Sequence, residues 1–197
     1  MVLSIPSGGT PVGYEIANAL HLPMDLIIVR KVQIPFNTEA GFGAIDPDGE
    51  AIFNDNLLKQ LDLTNNEIDA QIKKTMHVIH RRNRLFREAK PFPHLRDKCV
   101  ILVDDGLASG FTMLAAIRFA KRRGAGRIVV AVPTASKKTI DFILPEVDEL
   151  VCPNVRSRFP FAVADAYRNW YDLEDTEVMD IVGKIKVIRN NEKETKK

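Results

Sequence analysis

The run Val100-Ile-Leu-Val-Asp-Asp-Gly-Leu-Ala-Ser-Gly-Phe-Thr112 constrains this chain more than any other stretch. Four β-favouring apolar residues lead into two adjacent carboxylates, Asp104 and Asp105, and then into a loop of small residues. An amphipathic run starts at Phe111 to Met113. An apolar run without polar alternation is the pattern of a strand buried on both faces, as in a parallel sheet. Gly106 and Gly110 permit backbone conformations closed to other residues, so several N–H groups can converge on one point. The helix start adds unsatisfied donors and a positive dipole end, while Ser109 and Thr112 add hydroxyls. Such a cradle suits a phosphate. Asp104 and Asp105 beside it suit the vicinal hydroxyls of a sugar, or waters around Mg²⁺. Together they describe a site for a ribose phosphate.

Strands and helices alternate along most of the chain. Val2 to Ile5 is a short strand, followed by Pro6-Ser-Gly-Gly-Thr-Pro11 and a helix with Val12, Ile16 and Leu20 on one face. Asp25 to Arg30 is the next strand, and after a long interruption comes the strand at 100–104. Its helix turns Met113, Ile117 and Ala120 inward, favours Lys121, Arg122 and Arg123 at its C-terminal end, and stops at Gly124. Ile128 to Val132 is a strand, Ser136 caps a helix carrying Ile140, Ile143 and Leu144, and Glu149 to Cys152 is the last core strand. Buried strands joined by helices imply a doubly wound, mostly parallel α/β sheet. In such sheets ligands bind beyond the carboxyl ends of the strands, where the 7–10 and 106–112 loops both lie.

Residues 37–95 form an insertion. Asp46-Pro-Asp-Gly49 predicts a type I turn within a hairpin over 41–53. Thr64 and Glu67 form a capping box for a helix to about Lys90, with Ile68, Ile72, Met76, Ile79 and Phe86 on one stripe. Lys73, His77, Arg81 and Arg84 lie beside that stripe as a basic face, which reads first as a solvated surface. His77 and His80 have no clear set of metal-ligating partners.

Four hydrophobics, two acids and a Gly/Ala/Ser/Thr loop resemble the phosphoribosyl pyrophosphate (PRPP) motif of type I phosphoribosyltransferases. The Walker pattern fails because no Gly-Lys-Ser/Thr follows the glycines, and the Rossmann pattern fails because the acids precede them. The resemblance implies that Asp104 and Asp105 lie by the ribose hydroxyls. It implies that Gly106, Leu107, Ala108, Ser109, Gly110, Phe111 and Thr112 wrap the 5′-phosphate. It also implies that Ser7, Gly8, Gly9 and Thr10 form the pyrophosphate loop, which in this branch often reads Pro-Arg-Gly-Gly. Ser7 replaces that arginine, and Lys31, in the pair Arg30-Lys31, is the candidate to supply the missing charge. Mg²⁺ would arrive with PRPP rather than through a ligand set of its own. Ala108 stands where members acting on 6-oxopurines often carry an aspartate, so that acceptor class is disfavoured and the acceptor is left open. Family members often carry a mobile flap in the region of the insertion.

The family's fold implies one domain over 1–187, with the insertion at about 37–95 and a small C-terminal hood. Phe159, Phe161, Tyr167, Trp170 and Tyr171 fall in the hood region, where a flat base could stack, although packing is the commoner role of such aromatics. Relatives usually begin with a helix before the first strand, whereas this sequence opens on the strand, so a reduced hood or a late start is expected. The polar residues 188–197 are expected to be a disordered tail.

The activity implied is displacement of pyrophosphate from PRPP by a nitrogen nucleophile, in a homodimer. The alternative is a PRPP-sensing regulator on the same fold, binding nucleic acid or protein through the basic helix. With 28 basic and 26 acidic side chains the net charge is +2, so bulk charge does not favour nucleic acid. Cys99 and Cys152 do not make a disulfide framework, and no run approaches the roughly 20 apolar residues of a membrane span. The expected compartment is the cytoplasm.

Overall fold

The computed structural model describes residues 1–158 and 160–194, with the backbone alone at 38, 39 and 186–194. From the N-terminus come β1 (Val2–Ser4), α1 (Gly9–Ala19), β2 (Met24–Leu26) and β3 (Arg30–Ile34). The insertion contributes β4 (Asn37–Ile45), β5 (Ala51–Phe53), α2 (Asp55–Leu61) and α3 (Asn65–Arg87). The chain returns through β6 (Cys99–Val103), α4 (Phe111–Arg122), β7 (Arg127–Ala131), β8 (Thr134–Ser136) and α5 (Lys137–Ile143). It ends with β9 (Glu149–Val151), β10 (Asn154–Arg156) and α6 (Asp175–Glu194).

The central sheet is parallel throughout, in the order β2-β1-β6-β7-β9. The chain leaves β1 toward one edge and reaches the other edge from β6. The crevice between the loops after β1 and β6 is therefore the topological switch point, where doubly wound sheets bind ligands. Successive strand residues face opposite sides, so each strand feeds two cores. On one side Leu3, Val100, Leu102 and Val130 pack with Met113, Ile117 and Phe119 of α4. On the other, Val2, Met24, Leu26 and Val103 pack with Ile79 and Phe86 of α3 and Val178 of α6.

The second strand departs from expectation. Only Met24–Leu26 joins the central sheet, and Arg30 opens β3 in a separate antiparallel sheet, β3-β4-β5. Ile27, Ile28 and Val29 between them are fully buried, with a tight turn from the Val29 N–H to the Ile27 carbonyl at 3.0 Å. The apolar run is thus one core segment shared by two sheets, which periodicity alone reads as a single strand. In α1, Leu20 lies beyond the last helical residue and is 55% exposed. The buried face is carried by Gly9, Thr10, Gly13 and Ala17, because α1 sits so close to β1 that a Cβ at Gly13 would lie 2.3 Å from Ser4 Oγ. The short pair β8-β10 and the helix α2, capped by Asn54, carry too few residues for a period to be read.

The insertion behaves as its turn and cap residues dictate. Asp46 Oδ1 accepts from the Asp48 and Glu50 N–H groups at 2.9 and 3.1 Å, closing the β4-β5 hairpin. Both halves of the Thr64–Glu67 capping box form. At the other end of α3, Arg87 grips Asp25 of β2 with two bonds of 2.9 and 3.0 Å, fixing the insertion helix to the sheet edge. The backbone of α6 stays helical to Glu194, into the stretch expected to be a tail. Lys and Glu are good helix formers, so polarity alone does not end a helix. Among the described residues no helix is long and apolar enough to cross a membrane.

Candidate functional site

The loops after β1 and β6 touch. A Cβ on Gly8 would lie 1.8 Å from Asp105 Oδ2, and one on Gly9 would lie 2.9 Å from both the Asp104 Cα and the Val103 carbonyl. Any side chain at either position would push the acidic pair away, so Gly-Gly here is a requirement of close approach. The Gly9 N–H donates to the Ile5 carbonyl at 3.1 Å and the Ser4 hydroxyl donates to the Gly9 carbonyl, holding the loop against β1. The peptide bond Pro6-Ser7 is cis. Thr10 is fully buried, and its hydroxyl has no hydrogen-bond partner among the described residues.

Asp104 and Asp105 stand side by side at the mouth of β6. Burial, and then the charge of Asp105, hold the Asp104 carboxyl well above the usual carboxylate range. Burial also raises Asp105, against opposing hydrogen bonds from Asp104 and backbone N–H groups. Two carboxylates so close resist simultaneous ionisation unless a cation or hydroxyl donors meet them. The Tyr167 hydroxyl donates to the Asp105 carbonyl at 2.7 Å, tying the hood segment to the pair. Burial and both aspartates push its phenol up to about 12.

Residues 106–112 lead from the acidic pair into α4. The Leu107 N–H donates to the Thr134 carbonyl at 3.0 Å, the Leu107 carbonyl accepts from the Ser136 N–H at 3.4 Å, and the Ala108 carbonyl accepts from the Thr139 hydroxyl, so the loop is pinned to β8 and α5. Gly110 is the residue before α4, with φ +83°, a region that disfavours side chains. No side chain caps α4, which leaves its first N–H groups available at the crevice beside exposed Ser109.

The cation near the first loop is not the expected one. Arg30 and Arg82 line a cavity of about 250 Å³ with Ser7, Gly8, Asp105 and Trp170. Lys31, the next residue along β3, faces the other way, is exposed, and runs its stem where a Cβ on Gly41 would lie. Sequence reasoning passed over Arg82, although a signal was present. A residue three after Ile79 and four before Phe86 belongs on the apolar stripe of α3, and a charge there marks a pairing or a site.

A second cavity, of about 400 Å³, opens between α1, α6 and the hood segment, and shares Gly8, Asp105, Trp170 and Tyr171 with the first. Tyr167 and Trp170 pack ring to ring in its wall at 5.1 Å, and the Tyr171 hydroxyl bonds Glu177 at 3.0 Å. Phe161 lies away from this wall, in a separate cavity with Arg156 and Asp165, and Phe159 lies outside the described residues. On the basic face of α3, Arg81 is bonded to Asp175 at 2.7 Å, while Lys73, His77 and Arg84 are exposed.

Residues 1–168, which hold both loops, the acidic pair and Tyr167, match the family model described as the phosphoribosyl transferase domain. The chain belongs to that family. Two Mycobacterium tuberculosis proteins, each named "Putative phosphoribosyl transferase", are 36% identical to it over 179 residues, or 91% of this chain. The chain spans only 40% of the length of these curated relatives. Among solved structures, the TT1426 protein of Thermus thermophilus is similar with a TM-score of 0.72 and 31% identity, over 92% of this chain and 85% of that one.

Proposed function

We propose that the protein binds PRPP and transfers its phosphoribosyl group to a nitrogen acceptor, releasing pyrophosphate. The observation that carries this is the contact of Gly8 and Gly9 with Asp104 and Asp105, which brings the acidic pair and the loop before α1 together at the switch point of the sheet. In this reading the 106–112 loop holds the 5′-phosphate, Asp104 and Asp105 the ribose hydroxyls, and Ser7 to Thr10 the diphosphate. The acceptor nitrogen's lone pair forms the new bond to C1 as the bond from C1 to the diphosphate oxygen breaks. The electron pair of that broken bond leaves with pyrophosphate. Positive charge on the ribose ring faces the two carboxylates, which favour it in the transition state. Binding energy at the phosphate loop goes into positioning. The proton lost by the acceptor goes to solvent, as Ala108 offers no base.

The pair also fits Mg²⁺ carried by the substrate. Two adjacent carboxylates suit the waters of a hydrated ion. Bound with the diphosphate, Mg²⁺ would neutralise charge on the leaving group. The acceptor would enter from the cavity beneath Tyr167, Trp170 and Tyr171, where a flat nucleobase-type ring could stack. A homodimer is part of the reading. Sedimentation at a single protomer mass would remove it.

A panel of nucleobases with PRPP and Mg²⁺, followed by pyrophosphate release, tests transfer and names the acceptor. PRPP at a hundredfold over its Kd should also stabilise the fold by about 2.7 kcal/mol, and ribose 5-phosphate by less. No thermal shift at millimolar PRPP would end the assignment. A shift without turnover on any base would instead favour a PRPP-sensing regulator.

A further inference from the structure

Arg82 sits on the apolar stripe of α3 with its side chain only 12% exposed and its guanidinium 5.6 Å from the centre of the Phe86 ring. Nη2 lies 2.9 Å from Asp175 Oδ1. Nε and Nη1 are buried and have no hydrogen-bond partner among the described residues. Buried charged donors without partners are costly, and in native proteins they mark the place of an ion, a water or a ligand. The surroundings sharpen the choice. Arg30, Arg81 and Arg82 crowd around the carboxylate of Asp175, and burial followed by repulsion from Arg82 holds the Arg30 guanidinium below its usual range. Arg30 and Arg82 share their cavity with Ser7 and Gly8 of the first glycine loop and with the carboxylates of Asp105 and Asp172, so the two guanidinium groups stand beside the loop in a cleft of mixed charge.

We infer that Arg82, together with Arg30, is a ligand of the departing diphosphate, and that the diphosphate takes Arg82 over from Asp175. This rests on the PRPP reading above. The insertion helix then supplies the cation that Ser7 cannot, from a position remote in sequence. A guanidinium suits the role because its planar donors match two phosphate oxygens at once, with charge that no accessible pH removes. Asp175 is the first residue of α6, so its ion pair with Arg82, close at 2.9 Å but without a hydrogen bond to Oδ1, links the insertion to α6. Diphosphate arriving at Arg82 loosens that tie, and Arg81 keeps its own bond to Asp175 at 2.7 Å.

Calorimetric titration of Mg-pyrophosphate and, separately, ribose 5-phosphate into wild type, Arg82→Gln, Arg82→Lys and Asp175→Asn tests the inference. Arg82→Gln should weaken pyrophosphate by about tenfold or more, the loss expected of one charge-assisted bond. Ribose 5-phosphate should stay within about twofold, because it reaches only the other loop. Arg82→Lys should recover part of the loss, and Asp175→Asn should tighten pyrophosphate, since the competing carboxylate is neutral. Unchanged pyrophosphate affinity in Arg82→Gln, or equal losses for both ligands, would overturn the role of Arg82. Should Arg82→Gln fail to melt like wild type, Arg82→Lys and Asp175→Asn decide, and no gain in Asp175→Asn counts against the handover. Wild type that binds ribose 5-phosphate but not pyrophosphate sinks this inference alone. Wild type that binds neither sinks the PRPP reading with it.

Discussion

Residues 104–112 carry within one contiguous stretch both the charge and the donors of their half of the crevice, whereas residues 7–10 carry donors and no charge. The first half is assembled by a strand, a turn and a helix start that follow one another in sequence. The second borrows its cations from Arg30 on β3 and Arg82 on α3, and its shape from contact with Asp104 and Asp105. A self-contained site tolerates changes elsewhere in the fold. A borrowed one couples ligand binding to the packing of an insertion and a hood.

The sharpest way to break this comparison is at the acidic pair. Asp104→Asn and Asp105→Asn should each weaken PRPP by about 10- to 150-fold, the worth of a charge-assisted bond of roughly 1.5–3 kcal/mol. Sulfate at the 106–112 loop should bind as before or slightly tighter, because it meets backbone donors rather than carboxylates. If titration shows equal losses for both ligands, the two halves are not separable and the ribose assignment fails.

Next in size is the contact between the halves. Gly9→Ala places a methyl 2.9 Å from backbone atoms of 103–104 that cannot swing aside. It should cost about 1–3 kcal/mol and lower Tm. Gly183→Ala, with nothing within 4 Å of its Cβ, should instead raise stability by about 0.5–1 kcal/mol through helix propensity. Equal melting of the two variants would show that the loops are not held together.

A smaller effect concerns pH. The folded Asp104 carboxyl binds its proton more tightly than the unfolded one, so its contribution to stability falls as pH rises from the ordinary carboxylate value of 3.8 through the raised one. Above the raised value the penalty is fully present. Asp104→Asn removes it and should gain on wild type in melting temperature as pH rises above the ordinary carboxylate range, with the gap closing toward pH 4. A gap that widens on acidification would reverse the sign of the argument. The same variant should bind PRPP less well, a trade of function against stability.

The smallest change tests the tie between hood and core. Tyr167→Phe removes one hydrogen bond to the Asp105 carbonyl, worth about 0.5–1.5 kcal/mol. In an ultraviolet titration of wild type, one phenol should ionise at about 12 and be missing from the variant. If the transition lost in the variant lies at the ordinary phenol value of 10 instead, Tyr167 stands in solvent.

The acidic pair, the loop that follows it and the alternation of strands and helices were readable because each rests on neighbours in sequence. An apolar run ending in two acids and a glycine turn has few other ways to fold. The capping box of α3 and the Asp46–Gly49 turn were readable for the same reason, as both close within four residues. The partition of residues 24–34 between two sheets was not, because fully buried apolar residues carry no period and only packing decides where the ladder breaks. Nor was the choice of Arg30 over Lys31, since adjacent strand residues face opposite ways and the sequence does not say which side holds the crevice. Arg82 shows the limit most clearly. Its place on an apolar stripe announced that something must meet its charge, but long-range packing brought it to a cavity shared with Ser7 and Gly8 and to an ion pair with Asp175, neighbours that no local rule encodes.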